Sequence, residues 1–193
     1  INYTYYGMPK QKTLDSWCQT TPDHFKFTLK APKRITHDAR LKDCEESTRY
    51  FTDVAAKMGP KLGALLFQLP PGFKKDLGLL ENFLQCLPAG TRAAFEFRHG
   101  SWLCHEVYAR LKERNLALCV ADNENFWTPI EITADFGYFR LPDEGYTPED
   151  ITRWAHDIQS KTTACSDVYV YFKHVESGKG PEFARHFIGA LRT

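Results

Sequence analysis

Short β-type runs alternate with helical stretches along the whole chain, and this alternation constrains the fold more than any other feature. The β-type runs fall at residues 25–30 (FKFTLK), 62–69, 93–98, 116–121, 138–141 and 168–173, and residues 1–6 (INYTYY) read as the end of one more. Helical patterns lie between them at residues 10–20, 45–58, 75–86, 101–114, 148–161 and 181–192. Thr147-Pro148-Glu149-Asp150 carries a capping hydroxyl, a proline for the first turn and two acids suited to the positive helix end. Gly180-Pro181-Glu182 repeats the idea, and Ser101 is read as the cap of the helix that follows it.

Strand, helix, strand at a spacing of about 30 residues predicts a parallel sheet with right-handed crossovers. No glycine-rich dinucleotide turn marks an open doubly wound sheet. The expected fold is therefore α/β, a TIM-type (β/α) parallel barrel with about seven strands present. A full barrel has eight strands, so the first β/α unit is expected to be missing. The 193 residues suit one domain, taken as 1–193.

Composition narrows the partners only slightly. The formal net charge is +1, which selects no polyanionic partner. No apolar run is long enough to span a bilayer, and no secretion signal opens the chain. Cys18, Cys44, Cys86, Cys104, Cys119 and Cys165 form no C-x-x-C pair, which argues against structural zinc. They are read as reduced thiols of a cytoplasmic protein, with one buried disulfide as the alternative.

Strand alternation then locates the candidate site. Phe25, Phe27 and Leu29 share one face, opposite Lys26, Thr28 and Lys30; Phe95 and Phe97 oppose Glu96 and Arg98; Val168, Val170 and Phe172 oppose Tyr169, Tyr171 and Lys173. The apolar set should meet the helices. The polar set should open at the C-terminal strand ends, where barrel active sites lie. This gathers Lys30, Gln68, Glu96, Arg98, Asp122, Arg140 and Lys173, with Tyr138 and Tyr171 one step deeper.

The excess of cations suits an anionic ligand. Glu96, Asp122 and His99 are the candidates for acid–base work. Lys30, His37, Gln68, Arg98, Trp102, Tyr138, Arg140, Tyr171 and Lys173 are the candidate binding residues, with Trp102 free to stack on a ring-shaped ligand. A bland alternative is a structural ion-pair network. His99 reads equally well as a turn residue bonded to backbone. Gly178-Lys179-Gly180-Pro181 sits where barrels bind phosphate, but it lacks the spacing of a phosphate-binding motif. A divalent metal held by His37, Glu96, His99, Asp122 and His174 would need ligands that meet only in space.

The motifs K-x-P-x-x-I-T-H (Lys30 to His37), Q-L-P-P-x-F (Gln68 to Phe73), F-E-F-R-H-x-S-W (Phe95 to Trp102), the Ala121-Asp122 strand end, Y-x-R-L (Tyr138 to Leu141) and Y-V-Y-F-K-H (Tyr169 to His174) together resemble the YecE-like family, domain of unknown function 72. Asn2-x-Thr4-x-Tyr6 is similar to the tail of that family's second-strand motif. The resemblance implies a TIM barrel and the absence here of the family's first strand and helix. Lys173 and His174 stand where many relatives have an Asn pair. The resemblance implies no particular reaction. Three functions therefore remain open: an enzyme, a hydrolase or isomerase, acting on a phosphorylated or nucleic-acid-derived substrate; a non-catalytic module for a nucleotide or nucleic acid; and a structural scaffold.

Overall fold

The computed structural model describes residues 1–123, 126–172 and 178–192. The chain divides into two compact units, Ile1–Leu116 and Ala117–Thr193.

The first unit holds three parallel strands in the order β1 (Phe27–Lys30), β2 (Leu62–Gln68) and β3 (Ala93–Glu96). Before β1 lie a single helical turn, α1 (Tyr3–Tyr6), and α2 (Gln11–Thr20). The helices α3 (Glu45–Ala56) and α4 (Leu77–Gln85) each follow one strand, and α5 (His105–Glu113) follows β3. Phe67 shows why the helices cover one face. Its ring lies 5.3 Å from Phe95 in β3, 5.3 Å from Phe83 in α4 and 6.3 Å from Phe51 in α3. All four rings are buried. Removing each from water stabilises the unit by about 1.5–3 kcal/mol. The pleat sends the alternate residues to the other face. Register pairs Lys30 with Leu66 and Gln68 with Glu96, so Thr28, Lys30, Gln68 and Glu96 share it.

The second unit holds β4 (Ala117–Asn123), β6 (Phe136–Leu141) and β7 (Asp167–Phe172) as a parallel set, with the two-residue β5 (Phe126–Trp127) antiparallel on β4. Val120, Phe139 and Leu141 pack on Ile151, Ala155 and Ile158 of α6 (Pro148–Lys161) and on Phe187 of α7 (Gly180–Ala190). Cys119, Tyr138 and Tyr169 are in register on the opposite face, followed by Ala121, Arg140 and Tyr171. The α6 start is the capping box read from sequence. Thr147 Oγ1 accepts from the Asp150 backbone N–H, and the Asp150 carboxylate accepts from the Thr147 N–H.

Several expectations change. Residues 1–6 are not a strand end as a whole. Ile1 pairs its backbone with β1, through Thr28 O and Lys30 N; a helical turn follows, fixed by Thr4 Oγ1 donating to Lys30 O at 2.6 Å. The strands described are six parallel and one short antiparallel. Ser101 does not cap α5. It lies in a short 3-10 turn, Gly100–Trp102, and Cys104 occupies the cap position. All six cysteines are unpaired, and burial pushes the thiols of Cys44, Cys86 and Cys165 up. No helix among the described residues is long and apolar enough to cross a membrane.

Candidate functional site

At the C-terminal ends of β2 and β3 the first unit builds a polar network outward from a buried acid. Glu96 is 1% exposed. The Gln68 side-chain amide donates to Glu96 Oε1 at 2.6 Å, and Arg98 Nε lies 3.7 Å from the same oxygen. A buried carboxylate persists only when such groups compensate it. The Arg98 side chain emerges to 35% exposure. The nearest approach of this ion pair is at Nε, and among the described residues no hydrogen bond to its two terminal amino groups is made. The buried pair thus anchors a guanidinium by its stem side and leaves the fork open.

Two further groups lie at the end of β1 and in the turn after it. Lys30 ends β1, and its ammonium sits over the Tyr5 ring, 4.1 Å from the centroid. A cation in that position is held by the ring's electron-rich face. His37 lies in a π turn, Arg34–Asp38, directly after the strand exit. Its ring meets Tyr5 edge-on at 5.2 Å, and Nδ1 is 2.9 Å from Thr36 Oγ1. Burial holds His37 below its ordinary value of 6.5. The Lys30 charge adds to this, then Lys33 and Arg98, against Asp38. Lys33 pairs with Asp38 at 3.2 Å on the exposed side of the turn.

The turn is fixed by unusual backbone. Arg40, Leu41 and Asp43 follow it with φ of 50°, 68° and 47°. Left-handed backbone at a non-glycine residue costs of order 1–3 kcal/mol, and burial of the Leu41 side chain helps to offset it.

Other expected site residues are placed differently. His99 follows the bland alternative. Its Nδ1 accepts from the Ser101 N–H at 3.1 Å, and Ser101 Oγ in turn accepts from the Lys75 N–H at 2.8 Å. Ser101 therefore joins the loops after β2 and β3, with His99 capping its backbone. Trp102 has no ring face open to a ligand. It is wholly buried, stacked on Phe97 at 4.9 Å, and its indole N–H donates to Phe73 O at 2.6 Å. An aromatic beside a strand end looks like a stacking platform in sequence, yet the indole donor finds its partner inside.

In the second unit Asp122 leaves the face expected of it. It follows Ala121 by one residue, so the pleat turns it toward the helix side. There it accepts from the Tyr146 hydroxyl at 2.7 Å. Burial and this carboxylate push the Tyr146 phenol far above its usual range. Arg140, Tyr138 and Tyr171 do share one face, with Tyr138 and Tyr171 ring centroids 5.3 Å apart. Tyr138 is buried and Tyr171 exposed. Lys173 and His174 lie outside the described residues. Lys179, at the α7 start, reaches Glu144 O. Among the described residues no three His, Cys, Asp or Glu side chains come together as a metal would require.

Tyr5 and Thr36, which contact Lys30 and His37, are residues the sequence pattern does not single out. Tyr5 was hidden by the strand-like pattern of residues 1–6, and Thr36 acts only through the π turn.

The family model described as "Protein of unknown function DUF72" matches residues 1–193. The chain belongs to the DUF72 family. This DUF72 chain is 33% identical over 99 residues to the UPF0759 protein YecE of Escherichia coli K12, a match that takes in 51% of the chain. It spans only 36% of YecE's length in that match. The UPF0759 protein YunF of Bacillus subtilis is 20% identical, over 99% of this chain and 82% of YunF. A crystal structure of a DUF72 family protein from Enterococcus faecalis V583 superposes with a TM-score of 0.86 at 19% identity, covering 100% of this chain and 83% of that one. One from Thermotoga maritima MSB8 gives 0.85 at 25% identity, covering 98% and 82%.

Proposed function

We propose that the strand-end network of the first unit binds a small anionic ligand, with a phosphorylated compound as its natural class. The open Arg98 fork carries this reading. A guanidinium anchored through Nε by a buried carboxylate presents its terminal amino groups in the planar geometry that grips two oxygens of one anion. Lys30 at the end of β1 and His37 in the turn after it are the further cationic and polar groups of this reading. Glu96 acts here as a positioning residue for Arg98, since at 1% exposure it lies behind the guanidinium.

The finer architecture belongs to the same proposal: a TIM-type barrel to which this chain contributes its six parallel strands. That fold places binding groups at C-terminal strand ends.

Calorimetric titration with inorganic phosphate and with a sugar phosphate tests the reading. Arg98→Met should weaken both by roughly 10- to 100-fold, the loss of about 1.5–3 kcal/mol of charge-assisted hydrogen bonding. Arg98→Lys should recover only part, because it restores charge without the fork. Equal binding by wild type and Arg98→Met would sink the proposal.

A further inference from the structure

We propose that the ligand of this site is a hydroxyl-bearing phosphate, whose anionic group lies on the Arg98 fork and whose hydroxyl donates to Gln68 Oε1. The inference rests on the reading of Arg98 as an anion-gripping fork and adds the neutral half of its ligand.

One side-chain amide carries it. Gln68 ends β2 opposite Glu96 in the parallel register, and it is 7% exposed. The chain just beyond it is held, because the Leu69 N–H donates to Glu96 O at 2.9 Å and Pro70 and Pro71 stiffen the exit. Its partner then orients the amide. The Glu96 carboxylate, ion-paired with Arg98, offers only acceptors. The Gln68 amino group therefore faces Glu96 Oε1, at 2.6 Å, and the carbonyl oxygen is turned away from it. Among the described residues no donor reaches Gln68 Oε1, and this oxygen is not sealed from solvent. A side chain more than nine-tenths buried thus keeps an acceptor open, where buried polar groups are as a rule paired. The same acid fixes its distance from the fork. Gln68 Nε2 and Arg98 Nε approach one oxygen, Glu96 Oε1, so a single small molecule can touch both side chains.

The two side chains ask for opposite chemistry. The guanidinium presents N–H donors and a positive charge, whereas the amide oxygen presents only lone pairs. A second anionic group does not suit the Gln68 end, because it would set acceptor against acceptor. An ammonium would donate there, but it would bring another cation beside Arg98. A neutral hydroxyl meets neither objection. The Arg98 fork alone takes any small oxyanion, so Gln68 is the group that reads the rest of the molecule. A polyol or sugar phosphate carries the required hydroxyl on its carbon chain. An alkyl phosphate would cover Gln68 Oε1 with methylene groups and leave it without water or donor, a loss that separates the two ligands by roughly 10- to 100-fold.

Propyl phosphate and glycerol phosphate are suitable probes, because they share a charge and a carbon skeleton and differ only in hydroxyls. Calorimetric titration of the full chain should give glycerol phosphate a Kd roughly 10- to 100-fold below that of propyl phosphate. Gln68→Lys keeps a donor for Glu96 and removes the amide acceptor, and it should bring the two affinities together. Gln68→Met should do the same without adding charge. The ratio of the two affinities is read within each protein, so a general change in phosphate binding cancels from it. Equal affinities in the wild type overturn the hydroxyl assignment and leave the anion site standing. A preference that persists in both variants places the hydroxyl contact away from Gln68 and overturns the assignment as well. Failure of both phosphates to bind overturns the site and the assignment together. The wild-type ratio stands as a test even if neither variant folds.

Discussion

The strand ends of the two units each carry an acid and an arginine, with opposite polar outcomes. In the first unit the acid that ends β3, Glu96, shares a face with Gln68 and Lys30 and organises Arg98. In the second, the acid near the end of β4, Asp122, turns to the helix side and holds Tyr146, while Arg140 shares its face with tyrosines. One position along a strand separates the two results. Side-chain direction has a period of two, so an acid displaced by one residue moves from the face opposite the helices to the helix side. Polarity near a strand end therefore identifies a site only when its parity is also right.

The largest test of this contrast concerns the support beneath the first site. Trp102→Ala should cost about 3–5 kcal/mol, read by urea unfolding, because it empties a buried volume and orphans the Phe73 carbonyl. Anion affinity should fall with it, since Trp102 packs on Phe97, the neighbour of both Glu96 and Arg98. If stability falls by less than about 1 kcal/mol, the indole is not the support described.

A smaller effect is expected in the second unit. Asp122→Ala should destabilise by about 1–3 kcal/mol, because the half-buried Tyr146 hydroxyl loses its acceptor. Anion binding should be unchanged in that variant. A tenfold loss of affinity would place Asp122 in the ligand site after all and dissolve the comparison.

The smallest effect is the pH dependence of folding. His37 binds its proton less readily when folded than when unfolded, so the unfolded chain takes up more protons below 6.5. Stability should be level above 6.5 and fall as pH drops below it toward the folded value. His37→Gln should flatten that part of the curve in denaturant titrations between pH 5 and 7. An unchanged slope would assign the titration to another group.

What could be read in the sequence was what local rules determine. The α6 bounds, 148–161, were legible because Thr147, Pro148 and Asp150 form a cap from adjacent residues. The six parallel strands were legible to within two residues because alternation is a local signal. The shared face of Lys30, Gln68 and Glu96 follows from the same alternation. What escaped depends on distant partners. Residues 1–6 alternate like a strand, but Thr4 bonds the Lys30 carbonyl and the backbone turns into a helix. Trp102 and Asp122 were misplaced because an indole donor and a carboxylate each found a partner on the core side. The His37 environment depends on a π turn that no residue of R-I-T-H-D announces.

The left-handed backbone at Arg40, Leu41 and Asp43 has a consequence for sequence drift. Chirality, rather than charge or size, sets which replacements those positions accept. Glycine and asparagine enter such backbone at little cost, while valine, isoleucine and threonine are barred. A lineage could exchange every charge in that loop and keep His37 in place. A single β-branched replacement, conservative by most chemical measures, would move it.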